Sequence, residues 1–124
     1  MIIIDSSGWI EYFTNGPLIK RYKEYIADAT GIIVPTIVIY EVYKKIKRDA
    51  SEKDALRAAR YLTDQTTAPL TESIALTAAE LGLEYSLHLA DSIIYATAFE
   101  RGCKLVTSDA HFEGLPNVVY IKKA

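Results

Sequence analysis

Three branched apolar residues, Ile2 to Ile4, stand immediately before Asp5, Ser6, Ser7 and Gly8. A short apolar run without alternation is what a strand buried on both faces looks like, and the polar quartet after it reads as the turn where that strand stops. Ile32 to Val34 repeats the pattern and Pro35 closes it. Past Thr36 the period changes. Ile39, Val42, Tyr43 and Ile46 recur at helical spacing, which predicts an amphipathic helix with Thr36 as its cap. A second helix is expected from about Ser51, where the hydroxyl and Asp54 resemble a capping box, through Ala55, Leu56, Ala59 and Leu62. Gln65 to Leu70 predicts a weak strand, because Pro69 lies inside it. Thr71 opens a helix carrying Ile74, Leu76, Ala79, Leu81 and Leu83, and Ala90 to Arg101 forms another that Gly102 ends. Strands at Lys104 to Val106 and Val118 to Ile121 follow, with Asp109 in the polar turn after the first of them. Strands alternating with helices imply an α/β fold, a mainly parallel sheet covered by helices on both faces.

Half of the 124 residues are hydrophobic, enough for one continuous core, so residues 1–124 are expected to form a single domain; nothing repeats and no stretch reads as a linker. The formal net charge of -2 gives no overall positive field, so a polyanionic substrate would need a local basic patch or bound cations. Cys103 is the only cysteine, which excludes an internal disulfide and any cysteine-built zinc site and fits a reducing compartment. Met1 to Ile4 run into Asp5 with no basic leader, and Pro35 interrupts the longest apolar stretch well short of a membrane span. A soluble cytoplasmic protein is expected.

In open parallel sheets ligands collect beyond the carboxyl ends of the strands, which is where Asp5 and Asp109 are expected. Glu41 and Asp91 lie early in helices whose starts can converge on the same rim. Each acid also has an ordinary structural reading. Asp5 and Asp109 suit turns or caps. Glu41 shares a helical face with Lys44, Lys45 and Arg48, and a Glu–Lys pair at four-residue spacing is common surface stabilisation. Asp91 suits the first turn of a helix, yet Ser92, Ile93, Ile94, Ala96 and Ala98 make a largely apolar surrounding in which an uncompensated carboxylate is costly. Clustered carboxylates repel, and hard Mg²⁺ or Mn²⁺ is the simplest compensator; such a site can activate water against a phosphodiester. Ser7 and Thr107, beside the outer acids, are candidates to orient a carboxylate. His88 and His111 have no partner at metal or triad spacing and are read as structural. Phosphate-loop and serine-hydrolase readings fall away, because the glycines are isolated and Ser7 lacks the flanking glycines of a nucleophile elbow. The basic stripe Lys44, Lys45, Lys47 and Arg48 is a solvated helix face or a hold on an RNA backbone. Tyr40 and Tyr43 flank Glu41, where core packing is the better reading and base stacking the sharper one.

Taken together, IIIDSSGWIEYF at the start, IYEVYKK in the middle and HLADSIIYATAFERGCKLVTSDAHFEGL near the end resemble the PIN domain over nearly the whole chain. The resemblance is greatest to small stand-alone members, the VapC-type toxins of toxin-antitoxin pairs. It implies a three-layer α/β/α sandwich and an Mg²⁺- or Mn²⁺-dependent ribonuclease whose acidic quartet falls on Asp5, Glu41, Asp91 and Asp109, with Thr107 as a neighbouring hydroxyl. It further implies a homodimer and a cognate antitoxin whose C-terminal segment lies across the site. Lys44, Lys45 and Arg48 are then the candidates for RNA contact. A signalling receiver domain, similar in length and class, is disfavoured: Glu41 and Asp91 fall within helical patterns, and no Lys follows a late strand except in the terminal tail. A PIN-like fold used only to bind RNA or protein stays open beside the enzyme.

Overall fold

The apolar runs become the centre of a parallel sheet. β1 (Ile2–Ile4) pairs with β2 (Ile32–Pro35) on one side and β4 (Lys104–Thr107) on the other, with Ile2 opposite Ile32 and Lys104, and Ile3 opposite Ile33 and Leu105. β3 (Thr66–Ala68) adds beyond β2 and β5 (Val118–Tyr120) beyond β4, all parallel, in the order β3-β2-β1-β4-β5. The computed structural model describes residues 1–123. Burial follows strand position: β2 is buried throughout, whereas Thr66 and Thr67 of the edge strand β3 are exposed. Pro69 falls just past β3, where its missing N–H removes nothing from the ladder.

Six helices connect the strands: α1 (Ser6–Phe13), α2 (Ile19–Asp28), α3 (Thr36–Asp49), α4 (Glu52–Thr63), α5 (Glu72–Tyr85) and α6 (Leu89–Arg101). The chain steps outward from β1 to β3, then returns to β4 beside β1. Right-handed crossovers in opposite directions place α1 to α4 on one face and α5 with α6 on the other, giving the three-layer α/β/α sandwich. The helix contacts agree: α1 packs on α2 and α3, α3 on α4, and α5 on α6. The strand order reverses between β1 and β4, and in open α/β sheets ligands bind outside the strand ends at such a switch point. No helix among the described residues is long and apolar enough to cross a membrane.

Several local expectations need correction. The expected polar turn after β1 is absent, because α1 starts at Ser6 with Asp5 as its cap. α2 has no counterpart in the sequence reading, although Leu18, Tyr22, Tyr25, Ile26 and Ala29 make a helical stripe once tyrosine counts as apolar. Thr36 is not a cap but the first helical residue; Pro35 (φ -59°) leads directly from β2 into α3. The Ser51 hydroxyl does cap α4, accepting from the Asp54 N–H at 3.1 Å, and Gly102 closes α6 in the left-handed region at φ 63°. In α5 the buried stripe is Ile74, Ala78 and Leu81; Leu76 and Leu83 stand in solvent, as does Leu56 of α4.

Gly8 is where α1 meets its surroundings most closely. A Cβ at this position would lie 2.5 Å from Cε1 of Tyr22 and 2.6 Å from Cγ2 of Ile4, both fully buried side chains. Gly8→Ala gains about 1 kcal/mol of helix propensity. Overpacking a rigid core costs about 1–3 kcal/mol, and here both neighbours must move. Net destabilisation is expected, seen as a lower urea midpoint with unchanged slope; an equal or higher midpoint would contradict the packing.

Candidate active site

Asp5 follows β1, the central strand, and caps α1, so its carboxylate is fixed from two directions. Its Oδ1 accepts the Gly8 N–H at 3.1 Å, and its Oδ2 accepts the Ser7 hydroxyl and the Thr107 hydroxyl, each at 2.8 Å. Thr107 ends β4, the neighbouring strand, and its Oγ1 also accepts the Asp109 N–H at 2.9 Å. One threonine thus ties the two acids at the switch point together. Asp5 is only 3% exposed. Burial outweighs the three hydrogen bonds and, with the nearby charge of Asp109, pushes its carboxyl up to about 6.

Asp91 comes from the opposite layer, in the first turn of α6. It too is pushed up to about 6, by partial burial first and then by the charges of Asp109 and Glu41; His111 and His88 act the other way. Glu41 sits on α3 and does not form the ordinary surface pair. Its Oε1 accepts the Ser6 hydroxyl, while Lys45 turns to Asp49 at 2.8 Å. Asp5, Glu41, Asp91 and Asp109 all line one cavity of about 440 Å³, together with Ser6, Ser7, Ile10, Tyr40, Lys44, Lys45 and Arg48. Two raised carboxyls in a pocket of four acids mean that negative charge is under-compensated there. Oxygen donors of this kind suit Mg²⁺ or Mn²⁺.

Two residues at this site escaped the sequence reading. His111, read as structural for want of a partner, has one: its Nδ1 lies 2.8 Å from Asp109 Oδ1, and its N–H donates to the same oxygen at 2.9 Å. Ligand atoms of Asp91, Asp109 and His111 lie within 4.8 Å of one another, a grouping that could hold a cation. The cue was the two-residue spacing Asp109–His111, which a short 3₁₀ turn (Ala110–Phe112) brings onto one side. Ser6, beside the nominated Ser7, holds Glu41. Ser108, next to Thr107, accepts the hydroxyl of buried Tyr22 at 2.9 Å and helps fix the β4 end.

The basic stripe divides. Lys44, Lys45 and Arg48 face the cavity, with Arg48 Nε also 2.8 Å from Asp49, whereas Lys47 turns to Glu52 and Tyr43. The tyrosines divide as well: Tyr43 is half-buried against the core as expected, but Tyr40 is exposed on the cavity rim. His88 packs edge-on against His111, ring centroids 5.8 Å apart.

A family model for the PIN domain matches residues 2–117. No curated protein matches the chain. Among solved structures, a toxin-antitoxin complex from Klebsiella pneumoniae contains a chain 28% identical, with a TM-score of 0.82 and 96% of each chain covered. VapC20 of Mycobacterium tuberculosis, described as a toxin cleaving the sarcin-ricin loop, superposes with a TM-score of 0.80 at 17% identity, covering 99% of this chain and all of its own. VapBC2 from Rickettsia felis, bound to a promoter DNA fragment, gives 0.76 at 15% identity over the full length of both chains. At such identities the last two speak for the fold. Because the family model spans almost the whole chain, this chain belongs to the PIN-domain family.

Proposed function

We propose that this chain is an Mg²⁺- or Mn²⁺-dependent endoribonuclease, the toxin of a toxin-antitoxin pair. The observation that carries the reading is the convergence of Asp5, Glu41, Asp91 and Asp109 on one cavity at the sheet's switch point. Asp91 and Asp109, with His111 beside them, are the residues to hold a cation, and Asp5 and Glu41 complete the negative ring around it. A divalent ion held there would supply Lewis-acid chemistry, polarising a phosphoryl oxygen and activating water at neutral pH. The chain's own part is positional. Ser7 and Thr107 hold the Asp5 carboxylate in one rotamer, and Ser6 does the same for Glu41. Lys44, Lys45 and Arg48 on the same rim offer positive charge to an RNA backbone in a protein with no net positive field.

Production of the chain in a bacterial cell is expected to arrest growth and leave RNA fragments, and Asp91→Asn to do neither. Undisturbed growth and intact RNA, with folded protein present, would remove the toxin reading.

An antitoxin partner is supported by the likeness to a chain of the Klebsiella pneumoniae toxin-antitoxin complex, 28% identical over 96% of each chain. Exposed Leu76, Leu83 and Leu89 offer apolar surface for the homodimer that the family resemblance implies.

A further inference from the structure

The chain has nine tyrosines. Among the described residues eight are buried or half-buried, and Tyr40 alone is exposed, at 58%. An exposed aromatic ring is unremarkable when it stands by itself on a surface. Tyr40 is among the residues that line the acid-lined cavity, one residue before Glu41. It is not held there by core packing, nor does its hydroxyl bond any of the four acids. Among the described residues its hydroxyl has one polar partner, Lys44, one helical turn on, whose Nζ lies 5.4 Å from the ring centroid and donates to the hydroxyl at 3.2 Å. A lysine so placed adds a positive charge at the hydroxyl edge of the ring and leaves its faces open.

We propose that Tyr40 is a substrate-contacting residue of the RNA site, a platform on which a nucleobase next to the cut phosphate stacks while Lys44 takes the adjoining phosphate. This rests on the ribonuclease reading and extends it to a residue that determines which RNAs are held. The chemistry fits single-stranded RNA: an unstacked base presents a π face that an aromatic ring can cover, whereas a base within a duplex does not. Paired with a cation on the same helix face, the ring gives an alternation of stacking and charge that matches base and backbone along a strand. Selectivity would then follow stacking strength and favour purines beside the cut.

The test uses full-length protein carrying Asp5→Asn so that the probe is not cut, with Mg²⁺ present. The probe is a short single-stranded RNA with one 2-aminopurine, a fluorescent adenine analogue, moved through successive positions. With Tyr40 in place, quenching is expected to concentrate at one position. Tyr40→Phe retains the π face and should retain the affinity. Tyr40→Leu keeps apolar bulk without the face; it should lose the quenching and weaken binding on the order of tenfold, with the melting temperature unchanged. Equal quenching and affinity in Tyr40→Leu would overturn the proposal and leave Tyr40 as a protein-contact residue. Absence of binding by folded Asp5→Asn protein would also overturn it, while cutting of an RNA pool by the wild-type chain would still decide the ribonuclease reading separately.

Discussion

Asp5→Asn is expected to leave a protein that is more stable than the wild type in the absence of metal and that does not cut RNA. The two effects have one origin. A carboxyl raised from 3.8 to about 6 by burial is an ionised group that the folded state tolerates poorly at neutral pH, and the shift corresponds to up to about 3 kcal/mol. Asparagine removes that charge and keeps the geometry. Its oxygen can still accept the Gly8 N–H, and its amide can donate to the Ser7 and Thr107 hydroxyls, which accept as well as donate. Cleavage should fall by clearly more than the roughly 10–100-fold lost when a residue merely supporting a metal ligand is changed. Asp91→Asn should behave alike, with a smaller gain in stability because Asp91 is more solvated. Thermal melts in chelator, beside cleavage assays, check both halves. A variant that melts lower, or cuts as well as the wild type, would refute the assigned role.

The second large effect is a pH dependence that a divalent ion reverses. Asp5 and Asp91 bind protons more tightly folded than unfolded, since both are raised from 3.8 to about 6. Below the unfolded value both states are protonated and the burial cost is absent. Between about 4 and 6 the unfolded chain releases its protons first, so stability falls as pH rises, and above 6 the full cost is present. The metal-free protein should therefore lose stability from these two groups across that window. Adding Mg²⁺ or Mn²⁺ should restore it by mass action, most strongly above pH 6, where the carboxylates are free to coordinate. Melting curves from pH 4 to 7.5, with and without Mn²⁺, measure this directly. The same ion-induced rise at pH 4 as at pH 7.5 would show that the ion acts elsewhere.

What could be read from the sequence was what local pattern controls. Ile2–Ile4 and Ile32–Val34 are strands because unbroken apolar runs suit the doubly covered centre of a parallel sheet, and Leu105 and Val106 give β4 a shorter version of the same signal. The four acids were nominated by their places after strands or early in helices, and the fold brings those four positions to one cavity. The start of α1 was misread because Asp5, Ser6, Ser7 and Gly8 are as good in a turn as at a helix N-terminus, and only the packing of Gly8 on Tyr22 and Ile4 decides between them. The apolar positions of α5 mark a helix without saying which of them is covered; Ile74, Ala78 and Leu81 are buried while Leu76 and Leu83 are exposed, because α5 packs on α6. The hydroxyl of Thr107 reaches Asp5 across 102 residues of chain, and Ser6 reaches Glu41 across 35. Contacts of that range arise from strand order, which local periodicity does not encode.

The central claim is that these acids form a metal-dependent RNA-cutting site, and one assay addresses it: purified wild-type chain, Asp5→Asn and Asp91→Asn on a mixed RNA pool, each with Mg²⁺, Mn²⁺ or chelator. Cutting by the wild type alone, present with either ion and abolished by chelator, is the expected result. Cutting that persists in chelator, or in both folded variants, would contradict it.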